Sequence, residues 1–386
     1  MVSQAARTSD GPQAPAPARF FFRPEARRWR APTTAGSARR CHQVLPGYFP
    51  SPLVPAPQCA RRWGVGAVLV KDESERFGVS SFKALGASYA IARVLAEHTS
   101  EPLAASWDQL RAQATQAPIT LVTATDGNHG RALAHFAAAL GVAAEVVVPA
   151  VMSEAVVAAI AGEGAQVIRT DLGYDEAVQA AAASVRPGSA RVLVQDTAWP
   201  GYEVVPGWIV EGYQTMLEEL EEQLDALGLA GPDLVAVPVG VGSLAQAVVT
   251  FYRQAERTAS VLSCEPDTAA CILASLRERT LTSVSTGSTN MAGLNCGTPT
   301  SLGWPLLCEG LDAAVAVSDE EAVRATQTLS GFGVRAGASG AASLAGVEAV
   351  LTGARSAERR VQLGLDEQSV VVLLSTEGSG GAGGLT

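Results

Sequence analysis

"RFGVSSFKALGASYA", Arg76 to Ala90, sets one lysine, Lys83, where a Ser/Gly-rich segment turns into an Ala-rich, apolar-periodic run. Taken alone, a lysine there reads as a solvated helix-start residue. Its company argues against that: Ser80, Ser81, Phe82, Ala84 and Gly86 are all small or apolar. A helix N-terminus also turns the wrong end of its dipole towards a cation. A desolvated amine of lowered pKa, as imine chemistry requires, answers both points.

Outward from this stretch, short apolar runs alternate with helical patterns. "VGAVLVK" (Val65 to Lys71), "ITLVTA" (Ile119 to Ala124), "AAEVVVPA", "AQVIRT", "ARVLVQD", "DLVAVPV", "SVLSCEP" and "SVVVLLST" read as strands. Helical patterns fall at Ala84 to His98, His129 to Leu140, Ser153 to Gly162, Tyr174 to Val185 and from about Ser243. Such alternation predicts an α/β fold of βαβ units with parallel sheet. Continuous apolar runs predict strands covered on both faces. "LPGYFPSPLVPAP" is punctuated by proline and runs extended or in turns. The acidic "EELEEQLDALGLAGPD" (Glu218 to Asp233) reads as a solvated helix face and a turn, returning the chain from one lobe to the other.

At 386 residues the chain exceeds what one hydrophobic core usually serves, so two lobes are expected. The net charge is −10, with no Lys/Arg cluster in an ordered-looking segment. Neither nucleic acid nor an anionic membrane is therefore an expected partner. Six scattered cysteines form no C-x-x-C pair, and the four histidines add no ligand spacing, so no metal site is expected. Reduced thiols in a cytoplasmic protein are the simplest reading. No apolar run reaches about 20 residues, as a membrane-spanning helix would need. The opening "MVSQAARTSDGPQAPAPARF" lacks a signal-peptide core, and residues 1–18 read as a disordered Pro/Ala-rich tail.

Three glycine-rich turns follow strands: "TATDGNHGRALAH" (Thr123 to His135), "VPVGVGSLAQAV" (Val237 to Val248) and "LLSTEGSGGAGG" (Leu373 to Gly384). Ligands of open α/β sheets bind at such carboxyl ends. In the second turn, Gly240, Gly242 and Ser243 precede an Ala-rich helix, so bare amides and a helix dipole form an anion nest. Without the lysine of a P-loop or the spacing of a dinucleotide fold, the nest suits a monophosphate. A purely structural turn fits it equally well. A sheltered lysine and a monophosphate nest together point to pyridoxal 5′-phosphate.

"KDESERFGVSSFKALGASYA" (Lys71 to Ala90), "ATDGNHGRALA" (Ala124 to Ala134), "QDTAWPGYEVVPGWIVEGY" (Gln195 to Tyr213), "PVGVGSLAQAV", "MAGLNCGTP" (Met291 to Pro299) and "LLSTEGSGG" occur in this order. Together, over roughly Arg39 to Gly381, they resemble the diaminopropionate ammonia-lyases. These are fold type II pyridoxal-phosphate enzymes akin to threonine deaminase and the tryptophan synthase β chain. The resemblance implies two three-layer αβα lobes with mostly parallel sheets. Residues 19–90 and 220–386 would form a large cofactor-binding domain and residues 91–219 a small mobile one. It also implies a homodimer and a small amino-acid substrate, 2,3-diaminopropionate of either hand, eliminated to pyruvate and two ammonia.

By the same resemblance Lys83 would carry the cofactor through an imine, and Gly240, Val241, Gly242, Ser243 and Leu244 would hold its phosphate. Asn128 would bond the phenolic oxygen, and Ser375, in preference to Thr376, would face the pyridine nitrogen. Asp126 and Asp196 would be bases towards opposite enantiomers. As residues alone, Asp126 reads as a helix cap and Asp196 as a turn residue, although both follow strand ends. His129 reads as a supporting hydrogen-bond partner. Where the family carries Gly-Glu-Ser-Gly-Ala, within Arg335 to Gly346, this chain has Ala338, and its "STEGSGGAGG" lacks the acid that often follows. Both departures bear on the substrate. The alternatives are elimination or replacement on a serine-, threonine- or cysteine-type amino acid, and a non-catalytic small-molecule binding protein.

Overall fold

The computed structural model describes residues 19–32, 38–186, 188–254 and 257–380; the tail expected at 1–18 lies outside them. Eleven strands are found among these residues: β1 (Phe20–Phe22), β2 (Leu53–Pro55), β3 (Ala67–Asp72), β4 (Thr120–Ala124), β5 (Ala143–Val148), β6 (Gln166–Arg169), β7 (Arg191–Leu193), β8 (Leu234–Pro238), β9 (Ser260–Pro266), β10 (Ala313–Val317) and β11 (Val370–Ser375). One sheet has the order β1-β10-β9-β8-β11-β3-β2 and the other β6-β5-β4-β7. The four-stranded sheet is wholly parallel. In the seven-stranded sheet only the two edge pairs, β1 with β10 and β2 with β3, run antiparallel.

All eight strands read from the sequence are present, mostly shortened by a residue or two at their ends. The chain adds β1, β2 and β10, for which sequence periodicity gave no signal. Strand β10 is "AAVAV", in which alanine weakens any strand preference. It is a strand because it lies between β1 and β9 with all five residues buried. The proline-punctuated segment supplies β2 at a sheet edge, where a missing amide donor is tolerated.

Helix starts follow local chemistry. Ser153 is an N-cap rather than a helical residue, its hydroxyl accepting from the Val156 amide, and the helix runs Glu154–Gly162.

The acidic stretch is corrected by the structure. It ends a 23-residue helix, Val204–Ala226, and Glu219 within it is buried rather than solvated. Its carboxylate accepts from Lys71 Nζ at 3.0 Å and from the Arg76 guanidinium at 2.8 Å, while Arg76 also pairs with Glu73 at 2.5 Å. Two cations and two anions thus neutralise each other in the interior, as buried charges require. The cluster ties β3, the segment leading to Lys83 and the long helix into one unit.

Candidate active site

Lys83 opens the helix Lys83–Thr99, and Phe82 supplies the N-cap position without a side-chain cap. Asp126 lies between β4 and the helix Asn128–Leu140, but the cap of that helix is Gly127, at φ +142°. Asp126 is therefore freed from the capping role that its position implied. Asp196 follows β7 in the adjacent connection. β8 runs into the glycine turn, and Gly242, at φ +103°, precedes the helix Ser243–Tyr252. All these segments meet at the carboxyl ends of the two sheets, where loops converge in α/β folds.

One cavity is lined by Lys83, Asp126, Asn128, Asp196 and the whole turn Gly240 to Leu244. Ser375 is not among its walls. It is the last residue of β11, in register with Asp72, and its fully buried hydroxyl has no hydrogen-bond partner among the described residues. The cavity wall begins one residue later, with Thr376 and Glu377.

Lys83 Nζ lies 2.5 Å from Asp196 Oδ2. Gln195 Nε2 donates to the other oxygen of Asp196 at 3.2 Å, and Ser243 Oγ donates to its backbone carbonyl at 3.0 Å. The Ser243 hydroxyl thus braces the aspartate loop against the glycine turn. His129 Nε2 lies 2.8 Å from the Val194 carbonyl, and its other ring nitrogen is 4.0 Å from Asp196 Oδ2. This is the supporting role read from sequence. Asn128 Nδ2 donates to Glu377 Oε2 at 2.5 Å.

Burial and charge act against each other at each group. Burial raises the Asp196 carboxyl, but Lys83 and His129 outweigh it and hold the group at about 2. Burial pushes Asp126 up to about 6 because Lys83 offsets only part of the loss of water. Glu377 is also raised by burial. For Lys83, burial favours the neutral amine, yet Asp196 and the other charges outweigh it, so the ammonium is held above its ordinary range. The lowered value expected from sequence is corrected here: its apolar neighbours were legible, the carboxylate partner was not.

The residues present fit pyridoxal phosphate. A Cβ on Gly240 would stand 3.1 Å from Cys296 Sγ, and one on Gly242 would stand 2.8 Å from Leu307 Cδ1. At these two positions the turn can therefore present only backbone to an anion. At the other end, the Ser375 hydroxyl is buried without a partner, available to an acceptor or donor that the protein does not supply.

Sequence reasoning missed Glu377, Tyr174, Cys296 and Ser339, all of which line the cavity. Glu377 carried the signal used for the two aspartates, an acid in a glycine-rich turn just past a strand. The departure at position 338 falls outside the walls: Ala338 starts the helix Ala338–Leu351, and its neighbour Ser339 faces the cavity.

An αβα scaffold with a lysine, an anion nest and carboxylates at its sheet ends defines a cofactor-dependent enzyme, and residues 44–376 match the pyridoxal-phosphate dependent enzyme family, to which this chain belongs. Within that family the chain is 35% identical to the diaminopropionate ammonia-lyase of Escherichia coli strain K12 over 367 residues, 93% of this chain and 92% of that protein. The crystal structure of the E. coli enzyme in complex with D-serine superposes with a TM-score of 0.81 at 34% identity, covering 89% of this chain and 88% of that one. The same enzyme in complex with an aminoacrylate–PLP azomethine reaction intermediate gives 0.78, with the same identity and coverage.

Proposed function

We propose that this chain is a pyridoxal-phosphate dependent ammonia-lyase that converts 2,3-diaminopropionate, of either hand, to pyruvate and two ammonia. The observation that carries this reading is the placing of two carboxylates, Asp126 and Asp196, with Lys83 in one cavity of a chain that follows the E. coli lyase over nearly its whole length.

Lys83 would attach the cofactor and the amides of Gly240, Val241, Gly242, Ser243 and Leu244 would hold its phosphate. Asn128 would bond its phenolic oxygen, with Glu377 orienting the Asn128 amide. Ser375 at the end of β11, or Thr376 beside it in the cavity wall, would meet the pyridine nitrogen. When bound, the cofactor withdraws electrons from the substrate's α-carbon and makes its proton acidic. One aspartate takes that proton, a general-base step worth about 10²–10⁴-fold. The β-amino group would leave as ammonia after gaining a proton, which the Lys83 ammonium would give. Water converts the released enamine to pyruvate and the second ammonia.

The two aspartates stand on connections of the four-stranded sheet, whereas Lys83 and the glycine turn stand on the seven-stranded sheet's side. This supports a small mobile domain that carries the bases towards the lysine, but narrower than 91–219, because those bounds fall inside the helices Lys83–Thr99 and Val204–Ala226 and Glu219 is tied to Lys71 and Arg76. The reading extends to a homodimer in the cytoplasm, consistent with six free thiols.

The test is to supply D- and L-2,3-diaminopropionate separately and follow pyruvate. Faster turnover of serine or threonine than of either enantiomer would defeat the assignment of substrate.

A further inference from the structure

Beneath Lys83 lies a phenol that the proposed chemistry leaves unused. The helices Lys83–Thr99 and Val204–Ala226 cross at two glycines. A Cβ on Gly86 would stand 2.5 Å from Tyr213 Cε1, and one on Gly212 would stand 2.6 Å from the Leu85 carbonyl oxygen. This close approach brings the Tyr213 ring under the first turn of the lysine helix. The Phe82 ring packs on it, with centroids 4.7 Å apart. Tyr213 is fully buried, and its hydroxyl makes no hydrogen bond of ordinary geometry among the described residues, with Lys83 the side chain near enough to act on it as a hydrogen-bond neighbour. Burial raises its pKa, and the charged groups acting on it are Lys83, Asp196 and Asp126.

A buried hydroxyl without a partner is destabilising, and phenylalanine would fill the same space without that penalty. The hydroxyl is explained if Lys83, already its neighbour, becomes its full hydrogen-bond partner during the reaction. In the structure Lys83 Nζ is engaged by Asp196 at 2.5 Å. Once Lys83 is displaced from the cofactor and Asp196 turns to the substrate, the freed amine needs a second neighbour in a dry site. A phenol serves both protonation states, because it accepts from an ammonium and donates to a neutral amine.

We propose that Tyr213 is a positioning residue for Lys83: its hydroxyl holds the side chain's nitrogen close to the cavity whenever Asp196 is not its partner. The proposal rests on Lys83 being the cofactor lysine.

The test compares wild type with Tyr213→Phe and Ile209→Ala. Ile209 packs at the same crossing, its Cγ2 being 2.7 Å from the position of a Cβ on Gly86, but it leaves the hydroxyl in place. Each apoprotein is mixed with pyridoxal phosphate. The rate of covalent capture, which joins the amine to the aldehyde carbon with loss of water, is followed by absorbance. Borohydride reduction and peptide mapping locate the adduct. Wild type without an adduct at Lys83 would refute the cofactor assignment itself, separately from the role of Tyr213.

With the adduct at Lys83, Tyr213→Phe is expected to slow capture about tenfold, as loss of one positioning hydrogen bond implies. The holoenzyme should show a matching fall in kcat, in the return of its resting spectrum after substrate is exhausted, and no rise in KM. Ile209→Ala should capture within about threefold of wild type, a difference below that of one hydrogen bond. Wild-type capture by Tyr213→Phe, or equal slowing in both variants, would overturn the proposal. So would a melting temperature for Tyr213→Phe well below wild type, since removing an unpaired hydroxyl should not destabilise the fold.

Discussion

Lys83 Nζ and Asp196 Oδ2 lie 2.5 Å apart although 113 residues separate them in the chain. The pair joins the lysine helix of one sheet's side to a strand end of the other sheet. It also fixes the electrostatics of the cavity, holding Asp196 ionised and Lys83 protonated. Replacing Lys83 with alanine should abolish the borohydride-trapped adduct and cut pyruvate formation by about 10³-fold or more, because residues acting as a unit fail together. A reduced adduct mapping to any other residue would defeat the assignment.

The two aspartates should divide the substrate between them. Asp126→Asn and Asp196→Asn are each expected to lower kcat/KM for mainly one enantiomer, by about 10²–10⁴-fold. Pyruvate assays with D- and L-2,3-diaminopropionate on both variants decide the point. Equal losses on both enantiomers would refute the division of labour.

The pH profiles should differ as well. Asp126 is raised to about 6, so it is protonated below that value and unable to act as a base. The enantiomer that depends on Asp126 should lose kcat/KM as pH falls through about 6. The Lys83 ammonium and His129 hold Asp196 low, so the other enantiomer should show its acid limb at lower pH than the Asp126-dependent one. Identical acid limbs for the two would contradict these assignments.

The buried cluster around Glu219 makes a prediction about stability. Glu219→Ala leaves Lys71 and Arg76 without a shared partner in the interior. Breaking a buried pair from one side typically costs about 3–5 kcal/mol. Urea unfolding should report a loss of that order, and a change below about 1 kcal/mol, the range of exposed pairs, would count against burial of the cluster.

Much of the fold was legible in advance. The runs that became β3, β4, β8 and β11 are mostly apolar on both faces, a property of parallel strands that needs no tertiary information. Strand β10 was not, because an alanine-rich pentamer carries no period of its own and its state depends on its neighbours. Glu219 looked like surface because acidic helix residues usually are, and its partners Lys71 and Arg76 lie far away in sequence.

For the site, the sequence by itself determined which segments reach the cavity. Glycine-rich turns after strands deliver Asp126, Asn128, the Gly240 turn and Thr376 there, since local backbone chemistry fixes where strands end and helices begin. Tertiary structure alone decided which side chains meet. It paired Lys83 with Asp196, set Glu377 against Asn128, left Ser375 behind the wall and slid Tyr213 beneath the lysine. Those contacts depend on how two helices and two sheets pack across long separations in the chain. A charge's protonation state is then set by the neighbours that packing brings, and one-dimensional order does not carry them.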